Sequence, residues 1–433
     1  MKQHLRRLFE ETLTQLPVER VLAEQVTCAD GILAVGHDTL DVSRYRKLIT
    51  VAIGKAAIPM LEKFSDVVAP HTLTGVVATL GPVGQSLPGF TVFTGGHPYP
   101  NQGSFDAAAA AIDIVESATS DDLVVFLLSG GGSSLCEMPV SQEITLEDCQ
   151  ALYRLLVTCG ASIRNVNTIR KHLSAIKGGR LAELAFPARQ MTLYVSDVPP
   201  DAPSSVASGP TMPDDSTAEK CKQLIHDLNL RDQLPPSIRY LFDEGRLPET
   251  PKSGKGTFQD SSWHCLLSSA DAVDTMAHAA ERLGWIVETD QELSDSWSVD
   301  QLMDHMITKL EHLQHQHAGQ VVAVLSGGEY SCPVIGDGIG GRNQAFVLEC
   351  VPRIAGRRVA VLSAGTDGLD GSSPAAGAVA DGESLNRARQ IRLDPETYAT
   401  RSDSHGFFAQ LDDAVMTGPT GNNVRDLRIF VAW

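Results

Sequence analysis

The chain has 433 residues, 42% hydrophobic and 20% charged, a composition that suits two or three folded units and excludes a disordered or collagen-like chain. Thirty-five Lys and Arg stand against 53 Asp and Glu, and the formal charge of −18 creates a long-range field that repels phosphate backbones, so no nucleic acid partner is expected. A small anionic substrate can still bind where cations are concentrated locally or a divalent metal intervenes.

In chain order, "MKQHLRRLFEETLTQL" places Leu5, Leu8, Phe9, Leu13 and Leu16 at helical spacing, and it carries Glu10 and Glu11 where a signal peptide would need an apolar region. Strand-like apolar blocks follow: "LITVAIG" (Leu48 to Gly54), "LTGVVATL", "FTVFTGG", "DDLVVFLLSGGGSSL" (Asp121 to Leu135) and "MTLYVSD" (Met191 to Asp197). Between them, "SFDAAAAAIDIVESA" reads as a helix, and "VNTIRKHLSAIKGGRLAELA" reads as one until Gly178 and Gly179 break it. Continuous apolar strands interleaved with helices predict a parallel sheet covered on both faces. From Asn229 to Ser262 the texture turns rich in Pro, Gly and charge, which suggests a connection between domains. The alternation then resumes through "GQVVAVLSGGEY", "RRVAVLSAGTDGLDG" and "DLRIFVAW". The expected fold class is α/β: two Rossmann-like three-layer α/β/α domains with mainly parallel sheets, spanning 1–240 and 263–433, with a linker at 241–262.

The eight cysteines are scattered without a CxxC and read as reduced thiols. No run of about 18 apolar residues occurs, so no membrane span is expected and a cytoplasmic location fits. A homodimer is compatible with this reading.

Three loops take an apolar strand into a Ser-Gly/Ala-Gly turn: "FLLSGGGSS", "AVLSGGEYS" and "AVLSAGTDG". Ligands in open α/β sheets sit at the carboxyl ends of strands. Ser129, Gly130, Gly131, Gly132, Ser133, Ser134, Gly327 and Gly328 are therefore candidate nucleotide- or phosphate-binding positions, where glycines strip away side chains and backbone N–H groups converge on an anion. The competing reading is that such glycines merely end buried strands. Lys55, directly after the strand "ITVAI", is a cation at a strand end. Asn167, Arg170 and Lys171 share one helical face and are candidate substrate-binding groups. Gly336, Gly338 and Gly341 formally satisfy GxGxxG, but no good strand precedes them, and Arg342 with Asn343 reads better as an anion clamp. Asp197, Asp367 and Asp370, with Glu329 nearby in sequence to another glycine turn, are acidic loop residues; the three aspartates are candidate Mg2+ ligands or, alternatively, turn residues bonding their own backbone. "EHLQHQHAG" reads as a solvated helix face.

Taken together, "AIGKAA", "GGHPYPNQGS", "LLSGGGSSL", "IRKHLSAIKGGRLA", "SDVPPDAPSSVASGPT", "LSGGE", "GGRNQ", "AGTDGLDG" and "TGPTGNNVRDL" resemble the glycerate 2-kinase family with a C-terminal MOFRL domain, some of whose relatives are also named hydroxypyruvate reductases. The resemblance runs over nearly the whole chain in the expected order. It implies ATP-dependent phosphorylation of D-glycerate to 2-phosphoglycerate with Mg2+, in a cleft between the two domains, with Lys55 and Arg342 as active-site cations. The chain departs from the family pattern at Pro200, Asp201 and Ala202, at Asn101 and near Pro374. Two alternatives remain at this stage: an NAD(P)H-dependent hydroxypyruvate reductase, and a sugar-phosphate-binding module without catalysis.

Overall fold

The computed structural model describes residues 1–82 and 86–433 and divides the chain into two compact units, Val18–Leu266 and a second made of Met1–Pro17 with Leu267–Trp433. In the first unit a small antiparallel sheet, β1 (Val26–Ala29), β2 (Ile32–Val35) and β3 (Asp38–Asp41), precedes the main sheet. The main sheet contains β4 (Lys47–Ile53), β5 (Leu73–Leu80), β6 (Phe90–Gly95), β7 (Asp122–Leu128), β8 (Arg189–Val195) and β9 (Ser261–Leu267), in the order β6-β5-β4-β7-β8-β9. From β6 to β8 every pairing is parallel. β7 is buried along its whole length and β4 beyond its first residue, which is why both read as unbroken apolar runs.

The chain winds outward from β4 through β5 to β6, then returns to start again beside β4 at β7. The winding therefore reverses between β4 and β7, and the crevice that follows such a reversal opens at their carboxyl ends. Ile53 pairs with Leu128 at the top of the two strands, so the loops beginning at Gly54 and Ser129 leave side by side.

The stretch expected to be a linker is folded. Leu230, Leu234, Ile238, Leu241 and Leu247 are buried with Leu152, Leu156, Ile169 and Leu224 in a helical cluster of the first unit. Each buried side chain of this size contributes on the order of 2 kcal/mol, enough to hold the segment down despite its prolines and charges. Farther on, Ser261–Leu267 is the edge strand β9. The N-terminal helix, Lys2–Leu13, also falls in a different unit from the one its sequence position suggests: Lys2 Nζ lies 2.8 Å from Asp413 Oδ1, and Arg6 donates to the carbonyl of Ala414 at 2.6 Å.

The second unit carries β10 (Ile286–Asp290), β11 (Val322–Gly327), β12 (Val359–Gly365), β13 (Gly377–Asp381), β14 (Ala414–Val415) and β15 (Asp426–Ala432), in the order β10-β11-β15-β12-β13-β14. Only β10–β11 is parallel; β15 lies antiparallel to both β11 and β12, so this sheet is mixed where a mainly parallel one was expected. The reason is the connection. Residues 416–425 hold no helix, and a parallel return would need a crossover of a dozen or more residues. β15 is nevertheless buried throughout, because it occupies the sheet's interior.

Candidate active site

The two loops at the reversal are tied together by their backbones. Ser129 N–H donates to Ile53 O at 3.0 Å, Lys55 N–H to Gly130 O at 3.0 Å, and Ala56 N–H to Ser129 Oγ at 3.0 Å. Gly54 has φ +131°, and a Cβ there would lie 2.2 Å from Ser129 Oγ, so close approach requires glycine. A Cβ on Gly130 would sit 2.4 Å from Asp197 Oδ2, and one on Gly131, at φ +82°, would sit 3.2 Å from Lys55 Cγ. Lys55, the glycine turn and Asp197 are thus immediate neighbours. The glycines clear room for this close approach.

Around this centre the hydroxyls are held in a chain. Ser133 Oγ lies 2.6 Å from Ser208 Oγ, and Ser208 donates to Asn167 Oδ1 at 3.1 Å. Ala207 and Ser208 have φ of 49° and 60°, a conformation that non-glycine residues adopt at a cost and that clusters at functional sites. His97 Nδ1 lies 3.0 Å from Ser134 Oγ. Lost hydration on the packed side of its ring, then the charges of Lys55 and Arg170, hold the imidazole below its ordinary pKa, so it is neutral near neutral pH. The Arg170 guanidinium lies 4.4 Å from the centre of the Tyr153 ring, whose hydroxyl is 2.7 Å from Ser133 O and 2.6 Å from Glu137 Oε2. Glu137 also pairs with buried Lys177 and accepts from Ser174 Oγ at 2.6 Å. This buried group props the serine loop and Arg170 from beneath.

Lys171 is placed elsewhere. Its ammonium is buried 3.0 Å from Asp214 Oδ1, an ion pair within the protein. From the same helix (Ile163–Leu173), Asn167 accepts from Ser208 Oγ, and Arg170 lies over Tyr153 with its charge acting on His97.

In the second unit the ends of β11 and β12 and the start of β15 gather a different set of groups. Arg342 Nε lies 2.5 Å from Asp426 Oδ2, and Arg342 Nη2 lies 2.7 Å from Glu329 Oε1. Arg428 reaches the same Asp426 oxygen at 3.2 Å, and Arg425 pairs with Asp295. Burial works against the Arg342 charge, but Asp426 and Glu329 outweigh it and hold the guanidinium firmly protonated. Burial and the charge of Asp426 push Glu329 up to about 7, against the pull of Arg342 and Arg425.

Asp370 is buried, and its two oxygens accept from the backbone and side-chain amides of Asn343 and Gln344 at 2.8 to 3.4 Å. It therefore caps the helix Arg342–Arg353. Asp367 Oδ1 accepts from the backbone of Leu369 at 3.1 Å. The glycines here are also closely packed: a Cβ on Gly327 would meet Ser269 Oγ at 2.3 Å, one on Gly328 would meet Leu293 at 2.7 Å, and those on Gly336, Gly338, Gly340 and Gly341 would strike Arg401, Asp403, Ser404 and Asp370 within 2.4 Å. A cavity of about 820 Å³ opens beside this cluster. Farther off, Asp290, Glu292 and His305 are spaced as metal ligands could be, but the Lys309 ammonium already lies 3.0 Å from Asp290 and 3.1 Å from Glu292.

Two family models match the chain: one described as a domain of unknown function, DUF4147, over residues 4–243, and the MOFRL family over 322–426. A D-glycerate 2-kinase from Thermotoga maritima is 33% identical over 97% of this chain and 98% of its own. The chain belongs to the glycerate 2-kinase family with a C-terminal MOFRL domain. A crystal structure of glycerate kinase from Thermotoga maritima superposes with a TM-score of 0.83 at 30% identity, covering 100% of this chain and 99% of that one. Another relative, from Agrobacterium vitis, is 36% identical over 89% of this chain and 99% of its own and carries a provisional hydroxypyruvate reductase name.

The first family match encloses every group gathered around Lys55, and the second runs from β11 to Asp426. His97, Ser208, Tyr153 and Glu137 lie against the serine loop without being candidates from the sequence. His97 and Ser208 stand in the "GGHPYPNQGS" and "SDVPPDAPSSVASGPT" blocks that carry the resemblance, whereas Tyr153 and Glu137 carry no local signal, since only packing brings them to Ser133.

Proposed function

We propose that the protein transfers the γ-phosphoryl group of ATP, taken as its Mg2+ complex, to the C2 hydroxyl of D-glycerate, yielding ADP and 2-phosphoglycerate. The observation that carries this reading is the convergence of Lys55, Arg170, Ser133, Ser134, Asn167 and Asp197 on the reversal point of the first sheet. The C2 oxygen attacks the γ-phosphorus, the bond from that phosphorus to the β-phosphate oxygen breaks to release ADP, and the hydroxyl proton passes to solvent water. Such a reaction asks the protein mainly for positioning and for charge. Lys55 supplies charge where the transferring group's equatorial oxygens gather it, Arg170 offers a partner for the acceptor carboxylate, and the serine and asparagine side chains orient hydroxyls. Neutral His97 adds hydrogen bonding there without adding charge.

The donor set also fits a hard divalent cation, which prefers carboxylate oxygens and water. Half-buried Asp197, against the glycine turn, is the candidate ligand in the first unit, and Asp367 is a separate candidate in the second. Asp370 does not, because its oxygens already serve the helix cap. When bound, Mg2+ would offset phosphate charge that a chain of formal charge −18 otherwise opposes.

The reductase alternative loses its support at the GxGxxG segment. A dinucleotide pyrophosphate needs the free N–H groups of a helix that directly follows a strand. Here no strand leads into Gly336–Gly341 among the described residues, and Asp370 occupies the amides of Asn343 and Gln344. A cytoplasmic setting accords with eight free cysteines.

The test is direct. Purified protein is incubated with D-glycerate, ATP and Mg2+, the product is identified by NMR, and NADH with hydroxypyruvate is run in parallel. Phosphate at C2 is expected; phosphate at C3 refutes the position, hydride transfer without phosphorylation restores the reductase, and sugar-phosphate binding with neither turnover supports the non-catalytic module.

A further inference from the structure

Arg428 stands where the sheet of the C-terminal unit calls for an apolar side chain. It lies on β15, between β11 and β12, in a strand buried along its whole length, and it is itself 0% exposed. Its Nη2 donates to Asp426 Oδ2 at 3.2 Å, while buried Nε and Nη1 have no hydrogen-bond partner among the described residues. A guanidinium does not shed its proton, so burying this charge lowers stability. The rings of Tyr330 and Phe346, centred 5.5 and 5.7 Å away, offset only part of that cost. An apolar side chain of the same bulk would fill the core without it. A buried polar group left unsatisfied in this way asks for a reason, and function is one.

The reason lies in what Arg428 touches. Arg342 grips both oxygens of Asp426, with Nε 2.5 Å from Oδ2 and Nη2 3.1 Å from Oδ1, and it also pairs with Glu329 at 2.7 Å. Arg342 lines the cavity. Alone, its single charge would stand against two carboxylates, and the cluster would offer no net positive charge to an anion there. Arg428 supplies the second cation from inside the core, at the same Asp426 oxygen. It also meets Arg342 by another route: Tyr330, whose ring lies against Arg428, donates its hydroxyl to the backbone carbonyl of Arg342.

We propose, resting on the kinase reading above, that Arg428 is a positioning residue: it offsets the charge of Asp426 from the core, so that Arg342 stays anchored on that carboxylate and still presents positive charge to an anion in the cavity. The test is Arg428→Met in the full-length protein, which keeps the bulk and removes the charge. Asp426 retains both bonds to Arg342, and the unpartnered nitrogens leave the core, so Tm should stay within about 3 °C of wild type or rise. kcat/KM with ATP, Mg2+ and glycerate should nevertheless fall at least about tenfold. Arg428→Lys, which restores the charge, should recover most of that loss. Glu329 gives a readout without turnover: it faces Asp426, Asp295, Arg342 and Arg425, and Arg428 acts on it as well. Removing that cation should move the Glu329 titration, read as the stability difference between Glu329→Gln and its parent, upward by at least about 0.5 pH units in the Arg428→Met background. A large Tm loss or failure to fold in Arg428→Met makes the arginine structural and overturns the proposal. So does unchanged kcat/KM, a Lys variant as impaired as the Met one, or an unmoved Glu329 titration. A wild-type protein that transfers no phosphate overturns the kinase reading instead, and the Glu329 shift then decides whether Arg428 offsets the charge of this cluster.

Discussion

Asp370 Oδ2 accepts both amide groups of Gln344, the backbone at 2.8 Å and the side chain at 3.0 Å, while its other oxygen serves Asn343. A carboxylate this fully engaged is a structural group. Asp370→Asn would turn an acceptor into a donor facing donors, and the lost bonds should cost about 1 to 3 kcal/mol of stability. Chemical denaturation reads that loss directly. A variant of native stability whose Mg2+ requirement has changed would instead make Asp370 a metal ligand.

Lys55 and Arg342 should separate in their effects. Lys55 is exposed and borders the glycine turn, so Lys55→Met should lose at least about 2 kcal/mol of transition-state stabilisation, the scale of one preorganised donor, with little change in Tm. Arg342 neutralises Asp426, which is buried. Arg342→Met should therefore lower both kcat/KM and Tm. Normal kcat/KM in folded Lys55→Met would remove that residue from the mechanism.

Adjacent residues Arg170 and Lys171 make a second contrast. Lys171→Met strands the buried Asp214 carboxylate, and breaking such a pair typically costs about 3 to 5 kcal/mol. Thermal unfolding should reveal a large drop. Arg170→Met should act on glycerate binding with a much smaller stability change, and an unchanged Tm in Lys171→Met would contradict the buried pair.

Glu329 gives a pH signature. Its folded pKa is raised to about 7 by burial and the charge of Asp426, above the ordinary value of 4.5. Between those values the folded state binds more protons than the unfolded one, so this group's contribution is complete below 4.5 and is lost as pH rises through about 7. Glu329→Gln cannot titrate, so its denaturation midpoint relative to wild type should rise between about pH 5 and pH 8. A constant difference across that range would show that Glu329 does not titrate there.

Much of the site was legible in sequence because local chemistry dictates it. "LLSGGGSSL" after an apolar strand must put a glycine turn at a strand end, and Lys55 after "ITVAI" must stand at another. Sequence spacing also put Asn167, Arg170 and Lys171 on one helical face, but a helix of a layered protein turns one edge of that face toward a site and another toward its neighbours. Only the position of Asp214, far along the chain, decided that Lys171 belongs to the second group. The linker reading of 241–262 failed for a similar reason: local Pro and Gly say how the backbone bends, and they do not report that Leu241 and Leu247 find an apolar cluster.

By itself the sequence determined two α/β units, the strands that are buried and the loops that carry glycine and charge, since each follows from periodicity and from backbone geometry near in the chain. It could not determine partners. Tertiary structure decided that β15 inserts antiparallel between β11 and β12, that helix Lys2–Leu13 packs with the C-terminal unit, that Asp370 caps a helix and that Tyr153 with Glu137 supports Ser133. Each of these depends on which distant surface removes a group from water, and burial of that kind has no local period to read.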